Sequence, residues 1–345
     1  MNNYKIRIIT YNLLSSKYSK IESFVMNNPL HLDQNNRLSK ILIQLNYFIN
    51  NKKLNGDDFD KQHLPLYTIL SLQEVSIDWK NKLCLFFEDR NYKFTCTNYG
   101  NEESGNMGVG IAYPKEIKVI ETKINKINHL LKWDIQPPAD KVCGFFQNPE
   151  PNIFENIQLL QKNLKYNEWN CIKERNNEYV AIKFENNPFW IVSVHMPCIY
   201  WKKNVMNHWC QLLSHTLEKD VQLDNIIIAG DFNHSNESES SSVLKNGMNP
   251  YDTLNGTRPI NWPKNINLPL FEVRYKNNSI HSLSLWGFKR IEETPAFHGK
   301  IDHIYYRGVK LLNVEDPPYT DELLPNEIYP SDHLPVGAIF ELNND

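Results

Sequence analysis

Apolar and polar positions trade places in a few distinct rhythms along this chain. Residues 5–11, KIRIITY, alternate with a period of two and predict a first strand. Residues 36–50 set Leu38, Ile41, Leu42, Leu45, Phe48 and Ile49 at helical spacing, which predicts a helix with one apolar face. The short apolar run 67–72, YTILSL, predicts a strand ending at Gln73-Glu74, and 76–90 a further helix. Strands are expected near 92–98 and 107–113, the second opened by the glycine-rich GNMGVG. Residues 115–175 carry the weakest pattern: QPPADK and NPEPN are loop signals, with a helix over 153–165. Order returns in EYVAIKF (178–184) and FWIVSVH (189–195), read as strands paired across an ENNP turn. An amphipathic helix over 202–219 leads to a strand at 225–230, and SESSSVLKNG reads as a capped helix. Residues 301–306 and 334–341 supply the last two strands. Many strands with helices interleaved predict an α/β sandwich, sheets covered by helices.

Composition narrows the class without naming it. The chain has 345 residues, 41% hydrophobic and 22% charged, an ordinary globular balance. Length alone allows two domains, but large α/β folds often run this long as one. A net charge of -3 excludes a strongly basic, general nucleic-acid binder. A bound cation or a local basic groove still leaves phosphates within reach. The six cysteines are scattered with no CxxC pair, so no zinc ribbon or disulfide framework is indicated. Reduced cysteines suit a cytoplasm or nucleus. The N-terminus lacks the apolar core of a signal peptide and no run approaches a membrane span, so the expectation is neither secretion nor a membrane. HWCQLLSH (208–215) holds two histidines two helical turns apart, too distant to share one ion, and reads as an ordinary helix. Trp201-Lys202-Lys203 and Trp79-Lys80 read more simply as solvated lysines beside core tryptophans than as an RNA path.

Candidate chemistry gathers at strand ends. In IIIAGDFNHSN (226–236) an apolar strand ends by presenting Asp231 and Asn233, which an extended chain would point to one side. Asn12 follows IRIITY, Glu74 follows ILSLQ and His195 ends WIVSV. Asp302 starts the strand in KIDHIYY, and Asp332-His333 precede LPVGAIF. Each has a plain structural reading: a turn former, a solvated strand end, a core histidine, a helix cap. Six such ends in one chain are harder to set aside, because the ends of a sheet's strands converge. Glu74 and Asp332 offer hard oxygen ligands suited to Mg²⁺ or Mn²⁺. His195 and His333 can donate to phosphate oxygens, with Asp302 orienting the His333 ring. Asp231 can align or deprotonate a water, with Asn233 and Asn12 holding water and phosphate. Together they suit metal-assisted hydrolysis of a phosphate ester.

TYN (10–12), LQE (72–74), SVH (193–195), GDFN (230–233), ID (301–302) and SDH (331–333) resemble, in order, the motifs of the endonuclease/exonuclease/phosphatase superfamily. The resemblance implies a single catalytic domain over 1–345, with a variable insertion at about 115–175. It implies a DNase I-like four-layer α/β sandwich, in which helices flank two packed, mainly antiparallel β-sheets. It also implies a Mg²⁺-dependent phosphoric ester hydrolase, with Mn²⁺ able to substitute. YNLLSSKY (11–18) and LLPNEIYPSDHLPV (323–336) resemble the branch of poly(A) deadenylases of the carbon catabolite repression type, nocturnin, Angel proteins and 2′,5′-phosphodiesterases. That branch implies a 3′-to-5′ exoribonuclease releasing 5′-monophosphates from single-stranded RNA, as a monomeric catalytic domain. AFHGKIDHIYY (296–306) resembles the deadenylase segment whose aromatic, Phe297 here, stacks on a base; the same Phe reads equally well as core. The chain departs from the branch after His195, with MPCIYWKKN in place of a second His and an Asp-Pro, and has His303 where Tyr is usual. Substrates left open are 2′,5′-oligoadenylate, a terminal or cyclic phosphate, a DNA end, or other RNA. A non-catalytic RNA-binding scaffold is a further alternative, disfavoured because the carboxylates are all present.

Overall fold

Strand β1 (Tyr4–Asn12) separates its two faces by parity. Ile6 and Ile8 enter an apolar layer between two sheets, while Ile9 and Tyr11 enter a different layer under helices. The computed structural model containing it describes residues 4–131, 171–234, 255–256 and 301–342. Short gaps fall at 22, 25–26, 55, 60–66, 101–105, 186–188, 200–202, 222–224, 316–317 and 319–323. Phe297, the 153–165 helix, the SESSSVLKNG helix and Cys143 lie outside the described residues.

The elements after β1 are α1 (Pro29–Leu32), α2 (Gln34–Ile49), β2 (Tyr67–Ser76), α3 (Ile77–Glu88), β3 (Tyr92–Cys96) and β4 (Met107–Pro114). There follow β5 (Val119–Lys126), β6 (Glu178–Phe184), β7 (Trp190–His195), α4 (Lys203–Asp220) and β8 (Ile226–Asp231). The last are β9 (Asn255–Gly256), β10 (Asp302–Arg307), β11 (Lys310–Val314) and β12 (Val336–Leu342). One sheet runs β11-β12-β1-β2-β4-β3, the other β5-β6-β7-β8-β10-β9. Each has a single parallel pair at its centre, β1/β2 and β7/β8, and is otherwise antiparallel.

Three apolar layers bind the structure into the expected sandwich. Ile8, Ile69 and Ile111 of one sheet meet Ile182, Ile191 and Ile227 of the other. Leu38, Ile41, Leu45 and Phe48 of α2, with Trp79 and Leu83 of α3, cover the outer face of the first sheet. Met206, Trp209, Leu213 and Leu217 of α4 cover the second. In α2 the buried positions recur every three or four residues, and Asp33 caps its start by accepting from the N–H groups of Asn35 and Asn36 at 3.1 and 2.8 Å. Cys210 is buried in the α4 layer, so HWCQLLSH serves packing. Among the described residues no helix is long and apolar enough to cross a membrane.

The structure corrects the sequence reading at four places. The strand expected to stop at Gln73-Glu74 continues to Ser76 through a bulge between Leu72 and Val75. Within 115–175 lies β5, whose exposed Ile120 and Ile124 among charges mark an edge strand, not a buried one. The final pair of strands is a trio, because KLLNV forms β11 at the other sheet's edge. Finally, Asn233 does not continue an extended chain: β8 ends at Asp231, and Asn233 takes a φ of 52°.

One charge pair is sealed inside the first sheet's outer layer. Arg7 donates to both carboxylate oxygens of Glu315, at 2.5 and 2.6 Å, and lies over the Phe59 ring. The Leu54 N–H adds a third bond to Glu315. Glu315→Ala would strand a buried guanidinium. The expected loss is about 3–5 kcal/mol of stability, read as a lower denaturant midpoint. A loss below about 1 kcal/mol, the range of exposed pairs, would contradict this burial.

Candidate active site

Parity places most of the candidate site. Along the inner face, Ile6, Ile8 and Thr10 lead to Asn12, Ile191 and Ser193 to His195, and Ile227 and Ala229 to Asp231. Running the other way, Ile304 leads to Asp302. Register sets neighbours side by side: His195 pairs with Asp231, and Asp231 with Asp302. Glu74 is the exception. By parity Gln73 faces inward and Glu74 outward, but the bulge and a φ of 52° at Glu74 turn its carboxylate to the inner end of β1. Gly230 is required here, because a Cβ would sit 2.0 Å from the Val194 carbonyl oxygen.

Beneath these groups a polar layer joins the sheets. Thr10 donates to Gln73 at 3.1 Å, Gln73 donates to Ser71 at 2.9 Å, and Ser71 lies 2.8 Å from the Ser193 hydroxyl. These residues sit one to three positions before Asn12, Glu74 and His195. They fix the spacing of the two sheets where the candidate groups emerge.

Asn12 is the centre of the cluster. Its Nδ2 donates to Glu74 Oε1 at 3.1 Å and to Asp231 Oδ2 at 2.9 Å, while its Oδ1 accepts from the Leu14 N–H at 2.9 Å. The Ser15 N–H donates to the other Glu74 oxygen at 2.8 Å. Asp231 Oδ1 accepts from the Asn233 N–H at 2.8 Å, an Asx turn, and the Asn233 amide donates to the Met196 carbonyl. So the turn in GDFN orients the Asp231 carboxylate toward the cluster.

Two imidazoles flank Asp231. Nε2 of His195 lies 3.6 Å and Nε2 of His333 3.7 Å from Asp231 Oδ2. His333 Nδ1 is 2.7 Å from Asp302 Oδ2. Burial pulls the His333 ring's pKa down, but Asp302, Asp332 and Asp231 outweigh it and raise it well above the ordinary histidine value. Burial pushes the Asp231 carboxyl up, with Asp302 adding and His333 and His195 opposing. Burial likewise raises Asp332, against the pull of His333.

The SDH turn is tied to β1. The Ser331 hydroxyl donates to the Asn12 carbonyl at 2.6 Å, and Arg37 of α2 bonds the carbonyls of Leu13, Leu14 and Pro330. Burial lowers the Arg37 pKa to about 10, with Asp332, Tyr11 and Glu74 opposing. Arg37 therefore staples the loop carrying Asn12 to the loop carrying Asp332. It was not legible beforehand, since it looks like one more polar position on an amphipathic helix. Tyr99, whose hydroxyl lies 2.9 Å from His195 Nδ1, was equally hidden, in a stretch resembling a turn.

The donor set fits a divalent cation. Glu74, His195 and Asp231 offer atoms all within 4.8 Å of one another, and so do Asp231, Asp302 and His333. Asp332 belongs to neither trio; burial raises its carboxyl, and the charge of Glu74 adds to that rise. The carboxylate oxygens of these groups are the hard donors such an ion takes.

A model described as the Endonuclease/Exonuclease/phosphatase family matches residues 9–333. The chain is 25% identical over 240 residues to the Saccharomyces cerevisiae CCR4-Not complex 3′-5′-exoribonuclease subunit Ccr4. That match takes in 59% of this chain and 28% of the yeast protein, so the chain spans well under half of that relative. Among solved structures it shares its fold with ANGEL2, described as a 2′,3′-cyclic phosphatase, at a TM-score of 0.58 and 17% identity over 99% of this chain and 97% of that one. The human nocturnin catalytic domain follows at 0.56 and 17%, over 99% and 94%.

Proposed function

The chain belongs to the endonuclease/exonuclease/phosphatase family, whose members hydrolyse phosphoester bonds, and on that footing we propose that it is a Mg²⁺-dependent 3′-to-5′ exoribonuclease of the deadenylase kind. The observation that carries the hydrolytic reading is the Asn12 amide bound to two carboxylates, Glu74 and Asp231, between two imidazoles. The branch motifs YNLLSSKY and LLPNEIYPSDHLPV and the yeast exoribonuclease relative favour RNA over other phosphoesters. Residues 1–345 act as one catalytic domain, working as a monomer on single-stranded RNA in cytoplasm or nucleus.

Glu74 and Asp332 would hold Mg²⁺, or Mn²⁺ in its place. When bound, the ion supplies positive charge to the phosphate oxygens. Asp231, aligned by Asn12 and by the Asn233 N–H, takes a proton from the attacking water. Water oxygen forms a bond to phosphorus, the bond to the upstream 3′-oxygen breaks and that oxygen takes up a proton from solvent, leaving a 3′-hydroxyl on the RNA and releasing a nucleoside 5′-monophosphate. His333, kept cationic by Asp302, and His195 donate to the phosphate oxygens as charge builds there. Asn233 helps seat the water, and Phe297 stacks on the terminal base.

The test is a 5′-labelled RNA with a non-adenosine body and an A-tail, with Mg²⁺ or EDTA. The expected result is a metal-dependent ladder shortening from the 3′ end and halting at the tail boundary, with 5′-monophosphates released. Shortening through the body would make it a general 3′ exonuclease. An RNA left intact would overturn the reading and direct the same protein to cyclic or terminal phosphates, 2′,5′ linkages and DNA ends.

A further inference from the structure

His195 and His333 face Asp231 at nearly equal distances, yet different chemistry stands behind them. A carboxylate, Asp302, backs His333 Nδ1 at 2.7 Å. A phenol, Tyr99, backs His195 Nδ1 at 2.9 Å. Tyr99 lies between β3 and β4, clamped through its backbone to Met107 at 2.7 and 3.1 Å, and its ring is buried in the layer between the sheets. The His195 backbone is held as well, since its carbonyl accepts from the Asn177 amide at 2.8 Å.

Among the described residues, the hydroxyl's hydrogen-bond partner is that one ring nitrogen. A buried hydroxyl proton needs an acceptor. Nδ1 supplies one only if it carries no proton itself, so the ring N–H must reside on Nε2. Nε2 lies 3.6 Å from Asp231 Oδ2 and 3.9 Å from Glu74 Oε1, beyond hydrogen-bond distance of both. Neither carboxylate takes its N–H, which leaves that N–H free to donate to a substrate oxygen.

We propose that Tyr99 is a positioning residue that holds His195 in the Nε2–H tautomer, so that a fixed, preoriented N–H meets the substrate phosphate. The assignment of that N–H to a phosphate rests on the phosphoesterase reading above, whereas the tautomer does not. Tyr99 and Asp302 thus make the two imidazoles inequivalent: one is turned into a donor by a phenol, the other by a carboxylate.

The tautomer is read directly by ¹⁵N NMR of imidazole-labelled, Mg²⁺-loaded full-length protein, with His195→Asn identifying the signal. The expected wild-type spectrum shows a protonated Nε2 and a bare, hydrogen-bonded Nδ1. A protonated Nδ1 would overturn the proposal without any variant having to fold. Tyr99→Phe keeps the ring and its packing and removes only the hydroxyl. It is expected to mix the tautomers and lower kcat by roughly 10- to 100-fold, with KM little changed because the contact tightens in the transition state. Tyr99→Phe with a wild-type spectrum and wild-type kcat would also overturn it. If the wild type cuts no RNA, the functional reading fails, while its spectrum still decides the role of Tyr99.

Discussion

Asp231→Ala is expected to lower single-turnover RNA cleavage by roughly 10⁴-fold, the upper end of what a positioned general base contributes. Four groups meet the side chain. One oxygen receives the Asn12 amide, the other the Asn233 N–H, and both imidazoles face it. Its loss removes the proton acceptor and frees the two histidines from their shared anion. Groups that act as a unit fall together, so adding His333→Ala should cost little more. RNA affinity should hold within a few-fold, because the remaining phosphate contacts are untouched. Far-UV circular dichroism would show the sandwich intact, since the three apolar layers exclude Asp231. A loss under tenfold would mean that some other group takes the water's proton.

Much of this arrangement was readable because strands keep a strict period. Once KIRIITY is a strand with Ile6 and Ile8 facing in, Asn12 must face in too, and the same holds for His195 and Asp231. Glu74 breaks the period, because a bulge adds a residue and no local residue type announces it. The motif order located Glu74 where alternation alone would have turned it away. The edge strands β5 and β11 were hidden for the opposite reason. They bury little, so their apolar content is low and their pattern reads as loop. Tyr99 and Arg37 act across distances of 96 and 293 residues along the chain. Such contacts exist only after the sheets pack and the loops close. Asp231 and Asn233 were expected to present both side chains to one side of an extended chain; instead an Asx turn bonds the Asn233 N–H to Asp231, and the Asn233 carboxamide donates to the Met196 carbonyl.

Glu74→Gln carries the second large effect, and it separates metal binding from catalysis. Glu74 accepts from two fixed donors, the Asn12 amide and the Ser15 N–H, one on each oxygen. A carboxamide offers one acceptor oxygen, so one donor loses its partner, and the charge that draws a cation is gone. Activity should fall by roughly 10²- to 10⁴-fold, and raising Mg²⁺ should not restore it. The wild type should melt at a higher temperature in Mg²⁺ than in EDTA. A ligand at a hundredfold excess over its dissociation constant stabilises by about 2.7 kcal/mol, and in Glu74→Gln that rise should vanish. Acid should shrink the wild-type rise as well. Asp231 and Asp332 have folded values raised by burial. In the stripped protein their stabilising contribution is therefore full below their unfolded values and is lost as pH climbs through the folded ones. His333, also raised, has the same sign, its contribution lost as pH rises above the ordinary histidine value. Without the ion, ionising the two buried carboxylates costs stability at neutral pH. Mg²⁺ held by Glu74 and Asp332 needs Asp332 ionised, and its charge also favours the ionised form of nearby Asp231, so the ion competes with protons. The difference between the Mg²⁺ and EDTA melting temperatures should thus widen from pH 5 to neutrality. A difference that stays constant over that range, or survives in Glu74→Gln, would place the ion on other ligands.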